Sequence, residues 1–129
     1  GLELSTILED SGALIIVDTV RAEGDAGTVK TYRRDEILRH PPAQRITPHD
    51  PGLKETLLVL ELQGETPPEV FVVGVVPESV DYGVGLSDTV REAVPTAITE
   101  IVAELERLGQ PALPRDPPLE PDIWWEREP

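Results

Sequence analysis

Cysteine is absent from the 129-residue chain, and so is methionine. Without thiols there is no disulfide, no zinc–thiolate centre and no cysteine nucleophile, which fits a cytoplasmic protein. Positive charge is scarce: 11 Lys+Arg stand against 25 Asp+Glu, for a formal net charge of −14. A broad basic surface for nucleic acid or anionic membrane is therefore excluded, and the acidity suits solubility or a basic partner. No apolar run approaches the roughly 18 residues that span a bilayer, and no signal-peptide pattern opens the chain. There is also no Gly-x-Ser-x-Gly elbow and no glycine-rich phosphate loop. A chain that starts Gly1-Leu2-Glu3-Leu4 without methionine has either lost its initiator or continues upstream.

What is present is enough for one domain with a real core. Leu4, Ile7 and Leu8 have a short helical spacing, broken by Asp10-Ser11-Gly12. Ala13-Leu14-Ile15-Ile16-Val17 is apolar at every position, the pattern of a strand covered on both faces, and it ends in Asp18. The carboxyl end of such a strand is where open α/β sheets place ligands, although an Asp there serves equally as a turn or cap residue. Gly27 to Arg33 alternates like an edge strand, and Glu69 to Val76 reads as a second buried strand stopped by Pro77. Gly74 inside that strand predicts a close approach by another backbone or a helix.

Arg33, Arg34, Arg39, His40 and Arg45 form the one basic concentration. It reads as a solvated loop or, functionally, as a docking site for an acidic segment. Ser87 caps a last helix whose stripe is Val90, Val94, Ala97, Ile98, Ile101, Val102, Leu105 and Leu108, with a bend expected at Pro95 and a stop at Gly109. Residues 1–109 thus form one α/β domain, and 110–129 a Pro-rich acidic tail that cannot build a core of its own. The tail's Trp124-Trp125 pair docks either on this domain or on another chain.

The most informative stretch is Thr47-Pro48-His49-Asp50-Pro51-Gly52-Leu53, a loop turning into a helix that runs to about Gln63. Asp50 is a good N-cap, Pro51 suits the first helical position, and Gly64 closes the element. His49 then sits at the positive end of the helix dipole, which disfavours a cation and keeps the imidazole neutral. A neutral imidazole suits metal binding or base chemistry; the same position also suits a histidine that merely packs beside the cap. The order of elements argues for a three-layer α/β/α sandwich with a mostly parallel sheet.

Ile15-Ile16-Val17-Asp18-Thr19-Val20, Gly27-Thr28-Val29, His49-Asp50-Pro51-Gly52-Leu53-Lys54-Glu55, Gly64 to Val70, Gly74-Val75-Val76-Pro77-Glu78-Ser79, Gly85-Leu86-Ser87 and Ala93-Val94-Pro95 follow one another in this chain. In that order they resemble the hydrogenase maturation proteases, endopeptidases of the aspartic type that trim the large subunit of nickel–iron hydrogenases. The resemblance covers residues 1 to about 108 and implies a phosphorylase/hydrolase-like fold. It also implies removal of a short C-terminal peptide from the large-subunit precursor after nickel insertion. Nickel would then be a recognition element carried by the substrate, gripped by two carboxylates and one histidine. Asp18 matches one carboxylate and His49 the histidine, as both catalytic and metal-site residues. Such an enzyme is expected to be monomeric in its complete form, with no nucleic acid or membrane partner.

One departure is large. The family opens with a strand–loop–helix of the Gly-Asn-x-Leu-x-x-Asp-Asp/Glu-Gly-x-Gly kind that supplies the first carboxylate, and nothing here matches it. Gly1-Leu2-Glu3-Leu4 instead resembles the helix start after the family's second strand, so a βαβ unit of roughly 30 residues is missing. Glu3, Glu9 and Asp10 lie outside the required motif. A site with two of its three ligands should hold metal weakly, and a sheet without that unit should expose an edge. The alternative is an inactive, truncated module that binds the large subunit or a maturation chaperone.

Overall fold

The computed structural model describes residues 12–39, 52–79 and 84–127. The elements are β1 (Ala13–Thr19), β2 (Val29–Arg33), α1 (Arg34–Arg39), α2 (Gly52–Gln63), β3 (Glu69–Val75), α3 (Asp88–Arg107) and a 3₁₀ turn at Trp124–Glu126. β3 is the central strand of a three-stranded sheet ordered β1-β3-β2. It pairs in parallel with β1, Ala13 opposite Glu69 through Thr19 opposite Val75, and antiparallel with β2, Val29 opposite Val75. The sheet is therefore mixed, with β2 as its antiparallel edge strand.

Alternation along the strands divides the core into two layers. Val70 and Val72 pack with Val20, Ile37 and Leu57 under α1 and α2, and Leu14 and Ile16 border them. Phe71 and Val73 pack with Ala97 of α3, bordered by Ile15, Val29 and Ile101. Helices thus cover both faces, and the α/β/α sandwich expected from the element order is present. β3 is buried from Val70 to Val75, as an apolar central strand should be. β1 is not: Val17 is 52% exposed. Among the described residues β1 has a strand neighbour on one side only.

Helix ends follow local chemistry. The Ser87 hydroxyl accepts from the Val90 N–H at 3.2 Å. At the other end of α3, Gly109 has φ +76° and the Gln110 N–H reaches back to the Leu105 carbonyl at 2.8 Å. Gly64 closes α2 in the same way, with φ +71° and a 2.8 Å bond from Glu65 N–H to Leu60 O. A left-handed residue followed by a bond reaching five residues back is the Schellman stop, and glycine adopts it at little cost. α3 runs unbroken through Pro95, which is exposed, so water can serve the Arg91 carbonyl that the proline ring leaves without its helical donor.

The basic concentration is not a solvated loop in its described part, where residues 34–39 are helical. Its arginines are also engaged within the chain. Arg33 donates to Glu104 at 2.6 Å and lies 4.7 Å from the centroid of the Phe71 ring. Arg34 pairs with Glu61, and the Arg39 Nε–H donates to the Asp35 carbonyl at 3.1 Å. His40 and Arg45 lie outside the described residues. An acidic docking partner would have to displace these internal carboxylates.

Glu104 is the buried member of this network, its side chain 2% exposed between Arg33 and Arg107, and Arg107 reaches on to Glu69 at 2.8 Å. Burial pushes the Glu104 carboxyl up, but hydrogen bonds from Arg33 and Arg107 together outweigh it and hold the group below the usual carboxylate range. A depressed pKa adds stability above the unfolded value and loses it as pH falls through the folded one. Urea unfolding of Glu104→Gln should therefore show a shallower loss of stability between neutral and acid pH than the parent. Glu104→Ala should cost about 2–3 kcal/mol at neutral pH, less than a fully buried pair because both arginines are half exposed. An unchanged acid limb in the Gln variant would remove Glu104 from this role.

Candidate functional site

Asp18 is the penultimate residue of β1, in register with Gly74 of β3, so it stands at the carboxyl edge of the parallel pair. Its parity matches Leu14 and Ile16, which face the α2 layer. The carboxylate Oδ1 accepts the Thr19 N–H at 2.7 Å, an oxygen of the side chain satisfying the next backbone donor. The backbone on either side is pinned. Before Asp18 it is laddered to β3; after it the Val20 N–H donates to the Val75 carbonyl at 3.0 Å.

Val20 also supplies the close approach expected at Gly74. A Cβ on Gly74 would lie 2.2 Å from Val20 Cγ1 and 2.5 Å from Cγ2. The neighbour is a side chain from the exit of β1, not a helix or a second backbone.

The same edge gathers three connections. The segment after β1 returns to it, with Gly27 N–H donating to Val76 O at 2.8 Å and Val76 N–H donating to Thr28 O at 2.9 Å. β3 exits there into Pro77, Glu78 and Ser79, and Glu78 and Ser79 are exposed. The first turn of α3 lies against Gly27, whose Cβ position would be 3.1 Å from the Thr89 carbonyl oxygen. α2 contributes its beginning. The turn 64–68 reverses the chain between α2 and β3, and Leu57 packs on Val20, Val70 and Val72, so α2 runs antiparallel to β3 with its first turn toward the carboxyl edge.

His49, the second expected site residue, precedes Gly52 by three positions and lies outside the described residues, as do Asp50, Pro51, Glu3, Glu9 and Asp10. Among the described residues no group of three His, Cys, Asp or Glu side chains is arranged to hold a metal ion. Asp18 therefore makes no metal-holding group with other described side chains, and any metal gripped here needs donors from elsewhere. A cleft of about 530 Å³ lined by Gly12, Ala13, Ile15, Leu105, Leu108 and Gln110 lies at the opposite, amino end of β1. It has no titratable lining side chain, and its chemistry does not make it the site. No described helix is long and apolar enough to cross a membrane.

The tail supplies what sequence inspection left undecided. It returns to this domain: Trp125 lies on Gly85, and Glu126 pairs with Arg91 of α3 at 3.0 Å. The pattern around Gly85 carried no hint of a tryptophan forty positions away.

A protein-family model described as hydrogenase maturation protease matches residues 1–104. The chain is 33% identical over 116 residues to the hydrogenase 2 maturation protease of Escherichia coli, covering 90% of this chain and 71% of that protein. It is 32% identical over 117 residues to the hydrogenase expression/formation protein HupM of Azotobacter chroococcum, covering 90% of this chain but 56% of that protein. Among solved structures, the E. coli hydrogenase maturating endopeptidase HybD superposes with a TM-score of 0.81 at 33% identity, over 90% of this chain and 72% of that one. The [NiFe] hydrogenase maturation protease HybD of Thermococcus kodakarensis gives a TM-score of 0.62 at 25% identity, over 81% of this chain and 72% of that one.

Proposed function

The chain belongs to the hydrogenase maturation protease family, and from that membership we propose that it is an endopeptidase that removes a C-terminal peptide from the nickel-loaded large-subunit precursor of a nickel–iron hydrogenase. The observation that carries this reading is Asp18: a carboxylate at the carboxyl edge of a parallel strand pair, pinned by the Val20–Gly74 contact. That edge is the one toward which the first turn of α2, three positions after His49, is directed.

In this reading nickel arrives with the precursor, and Asp18 and His49 grip it from the enzyme's side. Carboxylate oxygen and neutral imidazole nitrogen are both suitable donors for nickel, and the remaining donors come from the substrate and from a further carboxylate. Metal recognition then orients the precursor's C-terminal segment over the edge. Hydrolysis adds water across one peptide bond, leaving a new carboxylate on the large subunit and a free amine on the released peptide.

The test is intact mass of nickel-loaded precursor after incubation with the chain, with His49→Ala, and with the chain extended by the family's opening strand–loop–helix. Trimming by the parent or by the extended chain, lost in each His49→Ala counterpart, is the expected result. Trimming that survives His49→Ala would remove His49 from the site. Binding of the precursor without any loss of mass, even by the extended chain, would favour the non-cutting module instead.

A further inference from the structure

The C-terminal segment is more than an acidic appendage. From Gln110 to Ile123 it carries five prolines and is almost wholly exposed, so it holds no core of its own. Proline-rich chain extends about 3.1 Å per residue, and these fourteen residues reach roughly 43 Å. α3, with 20 residues, is roughly 30 Å long at 1.5 Å per residue. The segment is therefore long enough to leave the C-terminal end of α3 and return to its first turns.

Two contacts fix it there. Glu126 pairs with Arg91 in the first turn and a half of α3. Trp125 meets Gly85: a Cβ on that glycine would stand 2.9 Å from the indole Nε1 and 3.2 Å from Cδ1. Gly85 also has φ +96°, so the position demands glycine for its backbone and again for the ring lying on it. Trp124 stacks edge-on against Trp125 at 5.6 Å and is itself 61% exposed, so Trp125 is the anchor of the pair. Gly85 belongs to the last part of the connection from β3 into α3, two residues before the Ser87 cap. That connection leaves the carboxyl edge on which Asp18 stands.

We propose that Trp125 is a positioning residue: by lying on Gly85 it fixes the end of the β3–α3 connection, so that the C-terminal strap holds one rim of the edge that receives the precursor. The ion pair of Glu126 with Arg91 is solvent-exposed and adds little by itself; the aromatic contact supplies the hold, since an indole buries a large area with few rotatable bonds. The consequence for substrate binding rests on the endopeptidase reading. The consequence for residues 84–90 does not.

The experiment compares the full chain with Trp125→Ala, Trp125→Phe and Gly85→Ala by amide hydrogen exchange and by precursor trimming. Trp125→Ala should raise exchange in residues 84–90 by about tenfold while exchange in β3 stays at the parent's rate, because the opening is local. Trp125→Phe should restore most of the protection. Gly85→Ala should raise exchange at least as much as Trp125→Ala, because it adds backbone strain at φ +96° to the loss of the aromatic contact. In an active preparation Trp125→Ala should raise KM about five- to tenfold with kcat within twofold, the signature of lost binding shared by ground and transition states. Unchanged exchange at 84–90 in Trp125→Ala overturns the proposal whether or not the chain cuts anything. Raised exchange with an unchanged KM overturns the link to the precursor and leaves the endopeptidase reading intact. If neither the chain nor its extended form trims the precursor, that reading fails, while the exchange result still decides the positioning role.

Discussion

Asp18→Ala should leave nickel-loaded large-subunit precursor at full length under conditions in which an active parent shortens it, a fall in trimming rate of at least about 100-fold. Losing a group that only supports a metal ligand already costs 10- to 100-fold, and Asp18 is proposed as a ligand itself. The fold should survive the change. Asp18 is half-buried at a strand end, and its bond to the Thr19 N–H is of the kind worth about 1 kcal/mol. Asp18→Asn is the sharper variant, since it keeps the shape and one oxygen but removes the charge. If Asp18→Asn trims at the parent's rate, while circular dichroism reports the same fold, the carboxylate is structural and the site lies elsewhere. Unfolding of both variants would say only that strand ends are fragile, so Asp18→Glu is included. It retains charge at a shifted position and should fold normally while trimming poorly.

The second large effect is on stability. Gly74→Ala should lower the unfolding free energy by about 3 kcal/mol, the upper part of the range for overpacking a core. For a chain of this size that corresponds to a fall of roughly 10–15 °C in Tm. The new methyl would fall within 2.2–2.8 Å of three atoms of Val20. Val20 is completely buried and β-branched, so its side chain has no free rotamer to retreat into. Either the exit of β1 moves or β3 does. Val20→Ala removes the obstructing methyls and should recover part of the loss in the double variant, with a coupling of at least about 1 kcal/mol. Since Val20 follows Asp18 by two positions, Gly74→Ala should also cut trimming by more than the unfolded fraction accounts for. A Gly74→Ala chain within 1 kcal/mol of the parent in urea melts would mean the backbone shifts freely there, and Asp18 is not pinned as described.

Local chemistry was legible along much of the chain. Both apolar runs became strands, β1 and β3, because β-branched residues fit a pleated backbone, although only β3 is buried along most of its length. Gly64, Gly109 and Ser87 ended or began helices where their backbone and hydroxyl chemistry says they should. The resemblance to the maturation proteases, carried by motifs in a fixed order, agrees with the family match. Long-range consequences were less legible. Residues 34–39 read as solvated loop because arginines and carboxylates there have no strong period; their helix is stabilised by partners such as Glu61, far away in sequence.

What the sequence by itself determined, then, are the features settled within a few residues: which runs are strands, where helices stop, that Asp18 ends an apolar strand, and that thiol chemistry is impossible. Tertiary structure decided whatever depends on residues meeting across the chain. Glu104 falls on the same face of α3 as buried Ala93 and Ala97, and a carboxylate is held there because Arg33 and Arg107 converge on it. Gly74 could be marked for a close neighbour, but that the neighbour is Val20, locking the strand end that carries Asp18, follows from the parallel register. The tail's return to Gly85 depends on the length of α3 and on a bare Cα at its entrance. Local free energies act over one turn of helix or one strand pair and leave their mark in the residues concerned; burial and ion pairing act between segments brought together by the fold.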